Sequence, residues 1–193
     1  MKILYTVWLW ARWPLAFLVV AYIALVIYRI PAVGEKQRTA DTIAAIQAQK
    51  ITMADVMGTD LPPQPYKPEN DATVAGIDKN NNGIRDDVEL AIFAKYPNSA
   101  KIRAAELQYA MTEQMFLTDV YNTDTWKAVA EEDDRAYTCA LNVISYDQTR
   151  EVQDLVFNTQ ARKDAETKAY TFTTSNGPAP GPACDIDLNS LPN

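Results

Sequence analysis

Histidine is absent from the 193 residues, which removes imidazole from every catalytic and metal-binding scheme. A Ser-His or Cys-His nucleophile is therefore excluded. Glycine occurs only six times and never in the cluster that cradles a phosphate. The two cysteines, Cys139 and Cys184, form no C-x-x-C pair, so neither a dithiol redox motif nor a cysteine zinc site is written here. Basic charge is also scarce. Three of the 18 Lys/Arg lie at or before Arg29 and all 25 Asp/Glu lie after it, which leaves the remainder of the chain at about −10. That balance argues against nucleic acid as a partner, since such binding needs a basic face, and against tight docking on anionic lipid. Strand-like alternation is nearly missing, and the expected fold class is all-α.

What is present is a line of oxygens at regular spacing. Asp78-Lys-Asn80-Asn-Asn82-Gly83-Ile84-Arg85-Asp86-Asp87-Val88-Glu89 sets short oxygen-bearing side chains at the first, third and fifth positions, glycine at the sixth and glutamate at the twelfth. Alternate residues of a tight loop point inward, the glycine takes the bend, and a distal carboxylate can close a shell around a hard cation. Asp78, Asn80, Asn82 and Glu89 are the expected side-chain ligands for Ca2+, the Ile84 carbonyl the backbone ligand, and Asp86 a ligand through water. The competing reading needs no metal. Asp86 to Glu89 also fits a helix N-cap with a glutamate three residues on, and Asn80 to Gly83 is ordinary turn chemistry.

The loop resembles the EF-hand, and more closely the thrombospondin type 3 and dockerin-type calcium loops, with the pattern D-x-D/N-x-D/N-G-x-x-D-x-x-D/E. The resemblance covers residues 78–89 and identifies a site, not a whole protein. It implies calcium in an extracytoplasmic compartment, with a dissociation constant on the order of 10⁻⁵ to 10⁻³ M because two inner ligands are neutral asparagines. Two departures are visible. Loop position eight, apolar where sister loops pair, is Arg85, and the segment from Ala72 to Ile77 is too short and glycine-broken for an entering helix. Half an EF-hand, a loop with one exit helix, is the expectation.

The N-terminus carries the longest apolar run. Trp13 to Tyr28 is uncharged and framed by Arg12 and Arg29. At ~1.5 Å per residue it reaches about 24 Å, a little less than a hydrocarbon core of ~30 Å. Trp8, Trp10, Trp13 and Tyr28 supply interfacial anchors, so a span from about Trp8 to Ile30 is expected, with residues 13–30 in the membrane. An uncleaved signal anchor with the N-terminus inside is favoured, and the rest exported. The alternative is a cleaved signal peptide, with Lys2 and Arg12 as its basic end and Ala32-Val33-Gly34 as small residues near the cut, giving a secreted chain.

Beyond residue 33, a polar helix or stalk is expected to about Lys50, with Ala40, Ile43, Ala44, Ala48 and Ile51 as a modest apolar stripe. Leu61 to Pro68 should run extended as a proline-rich spacer, so that residues 34–70 form stalk and spacer. A helical domain over 71–175 opens with the loop, and its exit helix, with Val88, Ala91 and Ile92 on one face, stops before Pro97. Asn98 or Ser99 caps the next helix, with Ile102, Ala105, Tyr109, Phe116 and Val120 buried. A break near Tyr121 to Asp124 precedes Trp126, Val129, Ala130, Tyr137, Ala140, Leu141 and Ile144 at period 3.6. Shorter patterns cover Val152 to Val156 and Ala161 to Phe172, giving a bundle of four or five helices. Glu131 to Asp134 is expected on a solvated face. Residues 176–193 form a Pro/Gly-rich tail, which a Cys139–Cys184 disulfide would pin to the helices in an oxidising compartment.

No catalytic constellation emerges from the residues, and an enzyme is not expected. The functional expectation is a bacterial inner-membrane protein with a periplasmic helical domain, one structural calcium, and a role as an interaction or scaffold module for an envelope protein partner. An envelope hydrolase with a paired carboxylate acid and base is the alternative, recognisable by a concave carboxylate cluster away from residues 78–89 with a displaced pKa. An assembly subunit of a membrane complex is the other.

Overall fold

In a computed structural model of the chain, several helices begin at residues whose side chains satisfy their first backbone donors, whereas those starting at Lys67 and Asp86 have no side-chain cap. Ser99 Oγ accepts from Ile102 N at 3.3 Å, and Asn122 Oδ1 accepts from Thr125 N at 2.9 Å. Ser145 and Gln148 form a reciprocal capping box. The resulting helices are α1 (Lys2–Ala48), α2 (Met53–Met57), α3 (Lys67–Asn70), α4 (Asp86–Lys95), α5 (Ala100–Thr118), α6 (Thr123–Leu141), α7 (Tyr146–Val156) and α8 (Gln160–Ala169). Short 3-10 turns follow at Tyr170–Phe172 and Leu188–Ser190. The structure describes residues 2–177 and 179–192, and their side chains except those of residues 2–12, 27 and 31. No strand occurs among the described residues, so the fold is all-α.

The chain divides into two units, Met1–Asp41 and Thr42–Asn193. The first is a continuous helix. Its backbone runs through Pro31 and past Gly34, although proline removes one helical hydrogen bond. From Trp13 onward it is long and apolar enough to cross a membrane, and Phe17 and Tyr28 are 72% and 81% exposed. Trp8, Trp10, Lys2 and Arg12, invoked above as anchors and basic flank, lie outside the described side chains.

The second unit is organised around α5, which packs against α2, α4, α6, α7 and α8. Every residue from Arg103 to Leu117 is buried, so this helix is enclosed rather than amphipathic. The expected stripe was too narrow. Ile102 and Val120 at its ends are only half-buried, while Arg103, Glu106, Gln108, Thr112, Glu113 and Gln114 are inside. Small Ala104, Ala105 and Ala110 let neighbouring helices approach closely on several sides.

Three further expectations are corrected. The stalk buries Ile46 and half-buries Ile43, whereas Ala40, Ala44 and Ala48 are exposed, because a methyl group offers too little apolar area to set the inward face. The proline-rich stretch ends in a helical turn, since Pro68 occupies one of the first positions of α3, where its missing N–H costs nothing. The acidic run on α6 is not one solvated face. Glu132 is buried and bonded to Lys50 and Arg135, Asp133 accepts from Thr112, and Asp134 is exposed, because α6 is covered by other elements on two sides.

Candidate metal centre

The loop from Asp78 to Glu89 is a tight turn tied by its own side chains. Asp78 accepts from the backbone N–H of Gly83 at 2.8 Å and of Asn82 at 3.3 Å. Asn82 Oδ1 accepts from Ile84 N at 2.9 Å. Gly83 has φ +85, a conformation that favours glycine, and a Cβ there would lie 1.5 Å from Gln49 Nε2 and force that side chain to move. Gln49 Nε2 also donates to the Asn82 carbonyl at 3.3 Å.

The loop's last carboxylate closes on its middle. Glu89, 1% exposed on the first turn of α4, accepts from Asn80 Nδ2 at 3.0 Å, joining positions three and twelve. Burial pushes the Glu89 carboxyl up to about 7, with the amides of Asn80 and Asn82 offsetting only part of the cost. Asn80 Oδ1 and Asn82 Nδ2 are buried without hydrogen-bond partners. Rotating the Asn80 amide by half a turn would present its oxygen where the nitrogen now stands, the arrangement a cation would favour. Asp86 is committed to the backbone: its carboxylate accepts from Lys79 N at 2.9 Å and its own N–H donates to the Ile77 carbonyl at 2.8 Å. Burial raises its pKa, and the Lys79 N–H opposes that. The Ile84 side chain is fully buried and anchors the loop to the core.

These residues fit a calcium ion in donor type. The set is all oxygen and combines two neutral amides, a backbone carbonyl and carboxylates, as a hard cation of flexible coordination prefers. No group of three or more acidic or cysteine side chains is poised for a metal among the described residues. Behind the loop lies a cavity of about 160 Å³ lined by Gln49, Asp78, Gly83, Gln114 and Asp119.

Arginines to which the sequence pattern assigned no role hold this site to the bundle. Arg85, fully buried at loop position eight, donates to the carbonyls of Val156 at 3.0 Å and Leu155 at 2.8 Å, closing the C-terminal end of α7. It replaces the sister-loop pairing of a paired hand with a bond to a helix end. Arg162 on α8, also fully buried, donates to the carbonyls of Asn70 at 2.7 Å and Val74 at 3.1 Å and to Asp71 at 2.9 Å. The segment leading into the loop is thereby fixed without an entering helix. Only the charge at position eight, out of keeping with a paired hand, hinted at such a role.

A second pair of acids joins α5 and α6, with Glu113 buried and Asp133 half-buried. Glu113 Oε1 accepts from Gln153 Nε2 at 2.7 Å, and Asp133 Oδ1 accepts from Thr112 Oγ1 at 2.8 Å. Burial raises both carboxyls, Glu113 to about 7 and Asp133 well above its ordinary value, and the Glu113 charge raises Asp133 further. The cavities along the tail, of about 540, 420 and 380 Å³, are lined by neither residue.

Cys139 and Cys184 are bonded, with Cα atoms 5.0 Å apart, as the sequence led one to expect. Comparison with protein-family models, curated proteins and solved structures found no match for the chain.

Proposed function

We propose that this chain is a membrane-anchored, exported helical domain whose residues 78–89 bind one structural Ca2+ ion, and that it serves as an interaction or scaffold module in a bacterial cell envelope. The observation that carries the calcium reading is the meeting of Asn80 and Glu89 across the loop at 3.0 Å, with an unpartnered amide oxygen beside a buried carboxylate. A cation there would offset the cost of burying Glu89 and give the Asn80 oxygen a partner. Asp78, Asn80, Asn82, Glu89 and the Ile84 carbonyl would hold the ion, with Asp86 acting through water.

The ion's contribution is mechanical. Its ligands lie on the turn and on α4, and the turn is fastened through Arg85 to α7 and through Gln49 to the residues following α1. Binding only the folded loop, calcium stabilises the second unit by mass action, by about 2.7 kcal/mol at a hundredfold excess over the dissociation constant. The apolar N-terminal helix supports membrane anchoring, and the disulfide supports an oxidising compartment such as the periplasm. Heating the full chain in detergent with and without about 5 mM calcium, above the weakest dissociation constant of roughly 10⁻³ M expected of extracellular sites, tests the reading. The wild type should melt higher with calcium, and Asp78→Ala/Glu89→Ala should not respond. Equal melting of wild type with and without the ion would reduce the loop to a metal-free turn.

A further inference from the structure

The donors around the cavity of about 160 Å³ behind the loop are turned onto the protein's own oxygens. Gln114 Nε2 donates to the Ala75 carbonyl at 3.0 Å, Gln49 Nε2 to the Asn82 carbonyl at 3.3 Å, and the Gly83 N–H to Asp78 at 2.8 Å. What remains is acceptor oxygen. Gln114 is 7% exposed, and its Oε1 is buried without a hydrogen-bond partner. Asp119, half-buried just past the end of α5, accepts from the Thr118 hydroxyl at 2.9 Å, which fills one of about four acceptor positions on a carboxylate. Burial raises the Asp119 carboxyl, and only that hydroxyl opposes the effect. Among the described residues no lysine or arginine pairs with Asp78 or Asp119. Arg85 lines the cavity with its stem. A Cβ at the adjoining Gly76 would lie 2.2 Å from Arg85 Cδ, while the guanidinium is held by Asp87 and the carbonyls of Leu155 and Val156.

Two carboxylates beside an unpartnered amide oxygen call for a ligand that donates hydrogen bonds and carries positive charge. A primary ammonium has three N–H donors and no acceptor, so nothing on it conflicts with such a lining. A hydrated metal ion suits the cavity less well, because Ala75, Met115 and the Arg85 stem give it an apolar wall. That wall favours an alkyl chain behind the charge. The volume amounts to about five waters at ~30 Å³ each, the bulk of an unbranched amine as long as a lysine side chain. Thr118, which also lines the cavity, is exposed, so the site opens to solvent beside Asp119.

We propose that this cavity binds a primary alkylammonium group, with Asp78, Asp119 and Gln114 Oε1 accepting from its nitrogen and Ala75 and Met115 packing against its chain. Charge-assisted bonds to the two carboxylates supply most of the attraction, and the amide oxygen gains the partner it lacks. The same chemistry is offered by a small free amine and by the lysine side chain of a protein. A lysine source would give the proposed interaction module a contact of defined chemistry. The site itself does not rest on the loop's holding calcium.

Saturation-transfer NMR of the full chain in non-ionic detergent and calcium-free buffer tests the site with butylammonium. It should bind with a dissociation constant on the order of 10⁻³ M, as so small a ligand allows. Asp119→Asn should weaken binding by about tenfold or more, the effect of losing a hydrogen bond between charged groups. Asp154→Asn, which removes the same charge from an exposed position on α7, should bind as the wild type does. Butyltrimethylammonium keeps the charge without N–H donors and should also bind about tenfold more weakly or worse. Matching helical circular dichroism establishes that both variants fold. In a second arm, an N-acetyl-lysine amide that binds as butylammonium does identifies a protein lysine as the source, and its exclusion identifies a free amine. Equal binding by wild type and Asp119→Asn, equal binding of the two ammonium ions, or no binding of butylammonium would overturn the proposal.

Discussion

Replacing Glu106 with glutamine stabilises the helical unit at pH 8 and does so much less at pH 5. Glu106 lies fully buried on α5, neither of its oxygens accepts a hydrogen bond, and Lys95 Nζ stands 3.9 Å away. Burial raises its carboxyl from 4.5 to about 7, and the nearby Tyr96 hydroxyl and the Lys95 charge offset only part of that effect. An acid whose folded pKa is raised favours folding fully below its unfolded value. Its contribution is lost as pH climbs from about 4.5 to about 7, because the folded state then holds a proton that the unfolded state has released. At ~1.4 kcal/mol per pH unit, that interval amounts to about 3.5 kcal/mol at most. Glutamine keeps the shape and never ionises, and Lys95 retains Glu151 as a partner. Urea unfolding of the oxidised full chain in detergent, followed by far-ultraviolet circular dichroism across pH 5 to 8, measures the difference. A gain that grows with pH to about 2–3 kcal/mol is expected. A gain independent of pH, or a loss at pH 8, would refute the desolvation argument.

Reducing the Cys139–Cys184 bridge, which spans 45 residues, should remove about 4 kcal/mol in the chain-entropy model. For a unit of this size that lowers the melting temperature by roughly 8–16 °C, readable with and without dithiothreitol. Arg162→Met should destabilise by about 3–5 kcal/mol, since it strands the buried carbonyls and Asp71, whereas the exposed Lys67→Met should cost under about 1 kcal/mol. Urea midpoints of the two variants decide this, and equal losses would contradict it. Gly83→Ala should cost about 1–3 kcal/mol from the left-handed backbone alone, with a further loss from the Gln49 clash that Gln49→Ala/Gly83→Ala recovers.

The helices were legible because their caps and spacing are local. Ser99, Asn122 and the apolar period of α6 are read within a few residues of where they act. Enclosure of α5 was not, because Glu106, Gln108 and Glu113 look like a solvated face until α2, α4, α6, α7 and α8 are placed around it. The loop's register was legible from alternation and Gly83. What fastens it was hidden in long-range partners: Arg85 reaches residues 155 and 156, and Arg162 reaches residues 70 to 74. An arginine on a surface and one that closes a helix end are the same letter in sequence. The disulfide was foreseeable from an even pair of cysteines, but the cavity that Gln114 and Asp119 line was not.

The central claim, one calcium ion held by residues 78–89, is tested most directly by calorimetric titration of the full-length chain in detergent with calcium. The wild type should bind one ion per chain with a dissociation constant on the order of 10⁻⁵ to 10⁻³ M, and Asp78→Ala/Glu89→Ala should bind none. A wild-type titration as flat as that of the double variant would contradict the claim.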